Sequence, residues 1–250
     1  MGRLFLLGGH DLEMQEIKRL LISHGERFAD AGLDWSNAHL SAYAPIIAEE
    51  PDLDYYGVEL KEDSLLPKSY TRIDHHNDYN NRPASIIQVA EILGVVPDRH
   101  MQLVAANDAG YIPAMQALNA GEEEIAEIRK QDRAAQGVTE EDERLAELSI
   151  SEYLTRYESL FIVHAQTSRF SPICDRLYPY QRLLIYTDVE WIYYGVGKSD
   201  LVIMLADEIN NNKVYHGGGD NGYIGAVRGV YRKSEINQFV NEINKKYGNL

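Results

Sequence analysis

The sequence predicts an α/β protein: an N-terminal parallel-sheet α/β domain followed by a smaller C-terminal α/β domain. Three observations lead there. Short apolar runs alternate with amphipathic stretches through the first half. A segment rich in Glu, Arg, Gln and Ala then interrupts this pattern from Gly121 to about Arg156. After Leu160, strand-like runs return and lead into a glycine cluster. The expected domains are 1–145 and 158–250, with a charged helical connection over 121–157.

Leu4–Leu7 reads as a buried first strand ending at Gly8-Gly9. Glu13–Ser23 carries Met14, Ile17, Leu20 and Leu21 at helical spacing. A short element is expected over Ala38–Ala48, and strands over Tyr55–Leu60 and Ser69–Ile73. Pro83 suits a first helical turn, ahead of Ile86, Ile87, Val89, Ala90 and Leu93, with Gly94 closing the helix. Asp98 is expected to start a helix that stops near Asn107–Gly110. The charged segment predicts two helices broken at Gly137-Val138, with Thr139 and Asp142 forming the second N-cap. Strands are expected at Phe161–Ala165, Leu183–Asp188 and Trp191–Val196, and a helix over Ser199–Ile209. Lys213–His216 leads into the glycines, and Ser234 caps a last helix with Ile236, Phe239, Val240 and Ile243 inward.

With 250 residues, 44% hydrophobic and 25% charged, the chain has enough material for a real core and is not a disordered one. A net charge of -15 disfavours a broad grip on long nucleic acid, while leaving room for a small anion or a short oligonucleotide held locally. Cys174 is the sole cysteine, so neither an intrachain disulfide nor a thiolate cluster can form. This fits a cytoplasmic setting. The apolar run Leu4–Leu7 is too short for a signal core or a membrane span, and Leu6 breaks the myristoylation pattern. No membrane association is expected, and oligomeric state is not legible.

The chemistry concentrates in RIDHHNDYNNRPAS, residues 72–85. Asp74, His75 and His76 follow a predicted strand, and ligands of α/β sheets gather at the carboxyl ends of strands. Imidazole and carboxylate suit manganese, iron or zinc. Neighbours on an extended chain point to opposite sides, so His75 is expected to bind metal and His76 to meet substrate. His10, Asp11 and Glu13 follow the first strand, Glu59 ends another, and Asp108 ends an apolar helix. Together they offer enough donors for two metals bridged by a carboxylate, which can activate water and clamp a phosphoryl group. Arg82 opens the helix after the Asp-His-His and is placed to meet a phosphate or to pair with a carboxylate such as Asp78. His164, Arg169 and Arg176 are second-domain candidates for phosphate contact.

The run IDHH, a following helix and then NDAG resembles the DHH phosphoesterase superfamily. That family includes family II pyrophosphatases, exopolyphosphatases, nanoRNA and cyclic-dinucleotide phosphodiesterases, and single-strand exonucleases. Its motif order agrees with this chain over roughly the first 110 residues. The resemblance implies a metal-binding catalytic domain whose ligands are His10 with Asp11 or Glu13, then Glu59, Asp74, His75 and Asp108. It implies a pair of Mn2+ ions, with Mg2+ or another divalent ion as substitute. It also implies a smaller substrate-binding domain with a glycine loop, here His216, Gly217, Gly218 and Gly219, assisted by Arg228. Glu13, Glu59 and Asp220 stand where the family pattern has Asp, Asp and His.

The function expected is hydrolysis of a small phosphorylated substrate by two-metal water activation: a short oligonucleotide, a nucleotide derivative or a phosphoanhydride. The alternatives are a non-catalytic nucleotide- or phosphate-binding regulator on the same scaffold, and a metal enzyme of another superfamily.

Overall fold

In a computed structural model, which describes residues 2–248, the chain divides into two units, Met1–Gly137 and Val138–Leu250. The first contains β1 (Arg3–Leu7), α1 (Leu12–Ser23), β2 (Phe28–Asp30), α2 (Ala44–Glu49), β3 (Asp54–Val58), β4 (Tyr70–Ile73), α3 (Ser85–Leu93), α4 (Arg99–Ala117) and α5 (Glu122–Ala135). Its four strands are all parallel, in the order β2-β1-β3-β4. The chain crosses from β1 to β2 on one side and returns to place β3 on the other. The topological switch therefore lies between the carboxyl ends of β1 and β3, where such sheets bind ligands.

The apolar run of β1 is explained by its central place: Leu4, Phe5, Leu6 and Leu7 are all buried. Leu4 and Leu6 pack with Leu40, Tyr43, Tyr55 and Leu60. Asp11 caps α1, its carboxylate accepting the Met14 N–H at 2.9 Å. Asp98 caps α4 in the same way. The element expected over Ala38–Ala48 is a 3-10 turn, Leu40–Tyr43, running into α2. Pro83 lies just ahead of the Ala84 N-cap rather than within the helix. Helical geometry in α4 lapses at Gly110 and Tyr111, where Tyr111 has φ 59, and Pro113 follows. The helix end expected near Asn107–Gly110 is this break.

The second unit contains α6 (Glu140–Tyr153), β5 (Leu154–Arg156), β6 (Phe161–His164), α7 (Ser171–Leu177), β7 (Arg182–Tyr186), β8 (Trp191–Gly195), α8 (Lys198–Met204), α9 (Ala206–Asn210), β9 (Val214–Gly217), β10 (Tyr223–Ala226) and α10 (Lys233–Tyr247). The strand order is β5-β6-β7-β8-β10-β9, with β6 and β7 parallel and the other pairs antiparallel. Alternate residues serve opposite faces. Ile162, Leu184, Trp191 and Tyr193 pack toward Ile236, Phe239 and Ile243 of α10. Val163, Leu183, Ile185 and Ile192 pack with Ile173, Cys174 and Leu177 of α7.

The division after Gly137 falls within the charged segment 121–157. Its first helix, α5, belongs to the first unit and buries Ile128 and Ala135. Its second, α6, belongs to the other and buries Ala146 against α7's apolar face. Charged exteriors masked two apolar stripes. The helix expected over Ser199–Ile209 is interrupted at Leu205, which leaves helical geometry at φ -105, ψ 23. The segment from Lys213 through the glycines is a β-hairpin, β9–β10. No helix among the described residues is long and apolar enough to cross a membrane.

The predicted capping box is present. The Asp142 N–H donates to Thr139 Oγ1 at 3.2 Å, and the Thr139 N–H donates to Asp142 Oδ2 at 3.0 Å. Thr139→Ala is expected to cost about 1 kcal/mol of stability, read from the midpoint of urea unfolding. An unchanged midpoint would contradict a stabilising role for the cap.

Candidate metal centre

Three strand ends and one broken helix supply the centre. The chain leaves β3 through Glu59, a buried glutamate with φ 53. A side chain in the left-handed region is strained, and such strain persists where the surroundings hold it. The loop after β1 passes so close that a Cβ on Gly8 would lie 2.5 Å from the carbonyl oxygens of Val58 and Glu59. Only glycine fits there. Past β4, the chain turns as the Asp74 carboxylate accepts the His76 N–H at 2.9 Å, and Asn77 follows with φ 50. Asp108 stands just before the break in α4.

These turns bring Glu59, His75, His76 and Asp108 together: one donor atom from each lies within 4.8 Å of the others. His75 Nε2 is 2.6 Å from Asp108 Oδ2, 3.5 Å from Glu13 Oε2 and 3.6 Å from Glu59 Oε1. His76 Nε2 is 3.6 Å from Glu59 Oε1 and 4.0 Å from Asp108 Oδ2. Despite this crowding, none of these five atoms has an aligned hydrogen bond: Glu13 Oε2, Glu59 Oε1, His75 Nε2, His76 Nε2 and Asp108 Oδ2. Buried polar atoms normally have partners, so five converging orphans mark a place for a cation. Donors about 2.0–2.2 Å from one ion stand roughly 3–4.4 Å from each other, close to the spacing here. The mixed nitrogen and oxygen set suits a transition-metal dication.

Charge in the cluster is strongly displaced. Burial pushes the Glu13 carboxyl well above its usual range, although His75 pulls the other way. Burial also opposes ionisation of Glu59, yet His75 and His76 hold it below the usual carboxylate range. His75 loses solvation, but Asp108, Glu13 and Glu59 raise it to about 12. His76 is raised by Glu59. Asp11 is pushed up to about 7 by burial and then by the Glu59 charge. The carboxylates thus favour protonation of both imidazoles. A bound dication would displace protons from its ligands.

The two imidazoles do not point to opposite sides. Their ring centroids are 4.2 Å apart and both Nε2 atoms face the same carboxylates. The period-2 expectation fails because the Asp74 turn has already replaced extended geometry. Glu13 divides its carboxylate: Oε1 accepts the Ile86 N–H at 3.0 Å and so caps α3, leaving Oε2 toward His75. Asp74 stands outside the group of four, turned to the His76 amide and 4.0 Å from Arg72. Asp11 is occupied with its cap, and His10 is exposed. Arg82 lies over the Tyr79 ring at 4.5 Å and donates to the Arg72 carbonyl at 3.5 Å.

In the second unit, Gly218 and Gly219 both have positive φ, 71 and 66, in the exposed turn between β9 and β10. Buried Lys198 anchors that turn through the Gly219 carbonyl at 2.7 Å. Gly217 and His216 end β9, with His216 exposed. Arg228 is 3.8 Å from Glu190. His164 stacks on Tyr186 at 4.8 Å and approaches Asp188 at 3.5 Å. Arg176 pairs with Glu143 and Glu147 of α6.

The sequence reading missed Trp35. Its ring meets that of His76 edge-on, with centroids 5.3 Å apart. The signal was available: one of two tryptophans, in a polar stretch between apolar runs.

No protein-family model matches the sequence, and no curated protein matches it. Among solved structures, a pGpG-specific phosphodiesterase from Vibrio cholerae is similar over 98% of this chain and 99% of that chain, at 9% identity and a TM-score of 0.47. RecJ from Thermus thermophilus, in complex with Mn2+, is similar over 98% of this chain at 10% identity and a TM-score of 0.48; the chain spans 52% of its length. A DHH domain described as a member of the s1p family of ribosomal proteins covers 93% of this chain and 73% of its own, at 12% identity and a TM-score of 0.46.

Proposed function

We propose that the chain is a divergent DHH phosphoesterase, a hydrolase that acts on a small phosphorylated substrate with a divalent cation. The convergence of five buried, unpartnered donor atoms from Glu13, Glu59, His75, His76 and Asp108 carries this reading. These residues arise from the same motifs that resemble the family in sequence, at the switch point of a parallel sheet.

In this reading Glu59, His75, His76 and Asp108 hold the cation, and Glu13 completes the set. When bound, the cation supplies a Lewis acid that activates water and neutralises phosphoryl oxygens. Asp74 fixes His76 through its backbone. His76 has a side chain 34% exposed, the most open of the group, and so also meets the substrate side. The glycine turn of the second unit, with His216 and Arg228, is assigned to phosphate contact through its backbone N–H groups. A net charge of -15 favours a short oligonucleotide or nucleotide derivative over a long polymer.

Purified protein, assayed with Mn2+ on bis-p-nitrophenyl phosphate, pyrophosphate and a dinucleotide, is expected to hydrolyse at least one of them. Mn2+ at about 100 times its Kd is expected to stabilise the fold by about 2.7 kcal/mol, seen as a rise in Tm. No hydrolysis together with no metal by elemental analysis would sink the reading. Metal binding without turnover would identify the regulatory alternative.

A further inference from the structure

We propose that Trp35 determines specificity at this centre by stacking on a nucleobase of the substrate; the assignment rests on the phosphoesterase reading. Three observations place it. First, the ring is built into the edge of the centre. Its Cζ2 and Cη2 atoms cover Gly9 so closely that a Cβ there would lie 3.2 Å from each. The same Cβ would lie 3.5 Å from Glu59 Oε2, so Gly9 separates the indole from a cation ligand by little more than a backbone. On another side the indole meets His76 edge-on, perpendicular, at 5.3 Å.

Second, the ring is exposed on a turn that is itself tied down. Leu33 and Ala38, on either side in sequence, are buried in the core beneath β1 and β3. Between them the Asp34 carboxylate accepts the Ser36 N–H at 2.8 Å and the Ser36 hydroxyl at 2.6 Å. The Asn37 side chain accepts the Asp34 N–H at 2.7 Å. A turn so tied costs little to order on binding. Yet Trp35 remains 53% exposed. A tryptophan that only filled a core would be covered, as Trp191 is at 2%.

Third, the electrostatics call for a neutral anchor. The chain carries -15 and the centre is lined with carboxylates, so long-range attraction contributes little to holding an anion. A π-face binds any base without regard to charge and is tolerant of sequence. Its nearness to His76 suits a base attached through its sugar to the phosphate being cleaved. An inorganic phosphoanhydride has nothing to place there.

The test uses the full chain loaded with Mn2+, with adenosine 5′-monophosphate and inorganic phosphate as probes. Calorimetry is expected to show the Kd for the nucleotide rising roughly 10- to 100-fold in Trp35→Ala, and largely restored in Trp35→Phe. The Kd for inorganic phosphate should stay within about twofold. Tryptophan fluorescence should be quenched by the nucleotide but not by phosphate, and the quenching should persist in Trp191→Phe. A nucleotide Kd unchanged in Trp35→Ala, or a nucleotide that binds no tighter than phosphate, would overturn the assignment. None of these readouts needs turnover. If no phosphoester is hydrolysed but the nucleotide Kd responds to Trp35, the hydrolytic reading fails and the stacking assignment stands. If a dinucleotide is hydrolysed and the Kd does not respond, the reverse holds.

Discussion

Replacing His75 with alanine is expected to strip the divalent cation and lower hydrolysis by about 10³-fold or more. His75 Nε2 is the hub of the cluster, within 2.6–3.6 Å of Asp108, Glu13 and Glu59. The loss of several kcal/mol of charge stabilisation at the phosphoryl group corresponds to three or more powers of ten in rate. The imidazole also offsets three carboxylates, two of them nearly fully buried. Its removal leaves them facing one another, and they are expected to take up protons instead of unfolding the domain. Elemental analysis, a rate measurement and circular dichroism on the same preparation separate the effects. A folded variant with full metal content and full rate would remove His75 from the centre.

Gly8→Ala is expected to destabilise the first unit by about 2–4 kcal/mol. The added methyl would lie 2.5 Å from two carbonyl oxygens of the β3 end. Neither oxygen can retreat freely. The chain there runs from the ladder between β1 and β3 directly into Glu59 at φ 53, so relief of the clash must move a candidate ligand. The variant should therefore lose both urea midpoint and metal affinity. Loss of neither would show that the β1 loop and the β3 end have more room than the packing implies.

Much of the first unit was legible because its signals are local. The apolar run of β1, the Asp98 cap and the Gly94 stop depend only on neighbouring residues, and each appears where local physics puts it. The candidate ligands Glu59, His75 and Asp108 were legible as polar residues at the ends of apolar elements. Their convergence was not, because it depends on strand order. β2 escaped notice as three residues at a sheet edge, with none fully buried. The orientation of His76 was misjudged because alternation holds only while the chain stays extended, and one Asp74 side chain ends that. The second role of Glu13 spans 73 residues of sequence, from its carboxylate to the Ile86 amide, and no local rule reaches so far. Trp35 sits in a turn without periodicity, so no pattern drew attention to it.

The uniform direction of the first sheet has a practical consequence. Within that unit, the convergent donor atoms gather at the carboxyl ends of the strands, away from the connections that enter them. Those connections, His24–Gly25 before β2 and Pro51-Asp52 before β3, are exposed, and Gly25 would meet no neighbour even with a side chain added. A fluorophore, surface linker or affinity handle attached at those exposed connections would sit at the end of the first sheet away from the donor cluster.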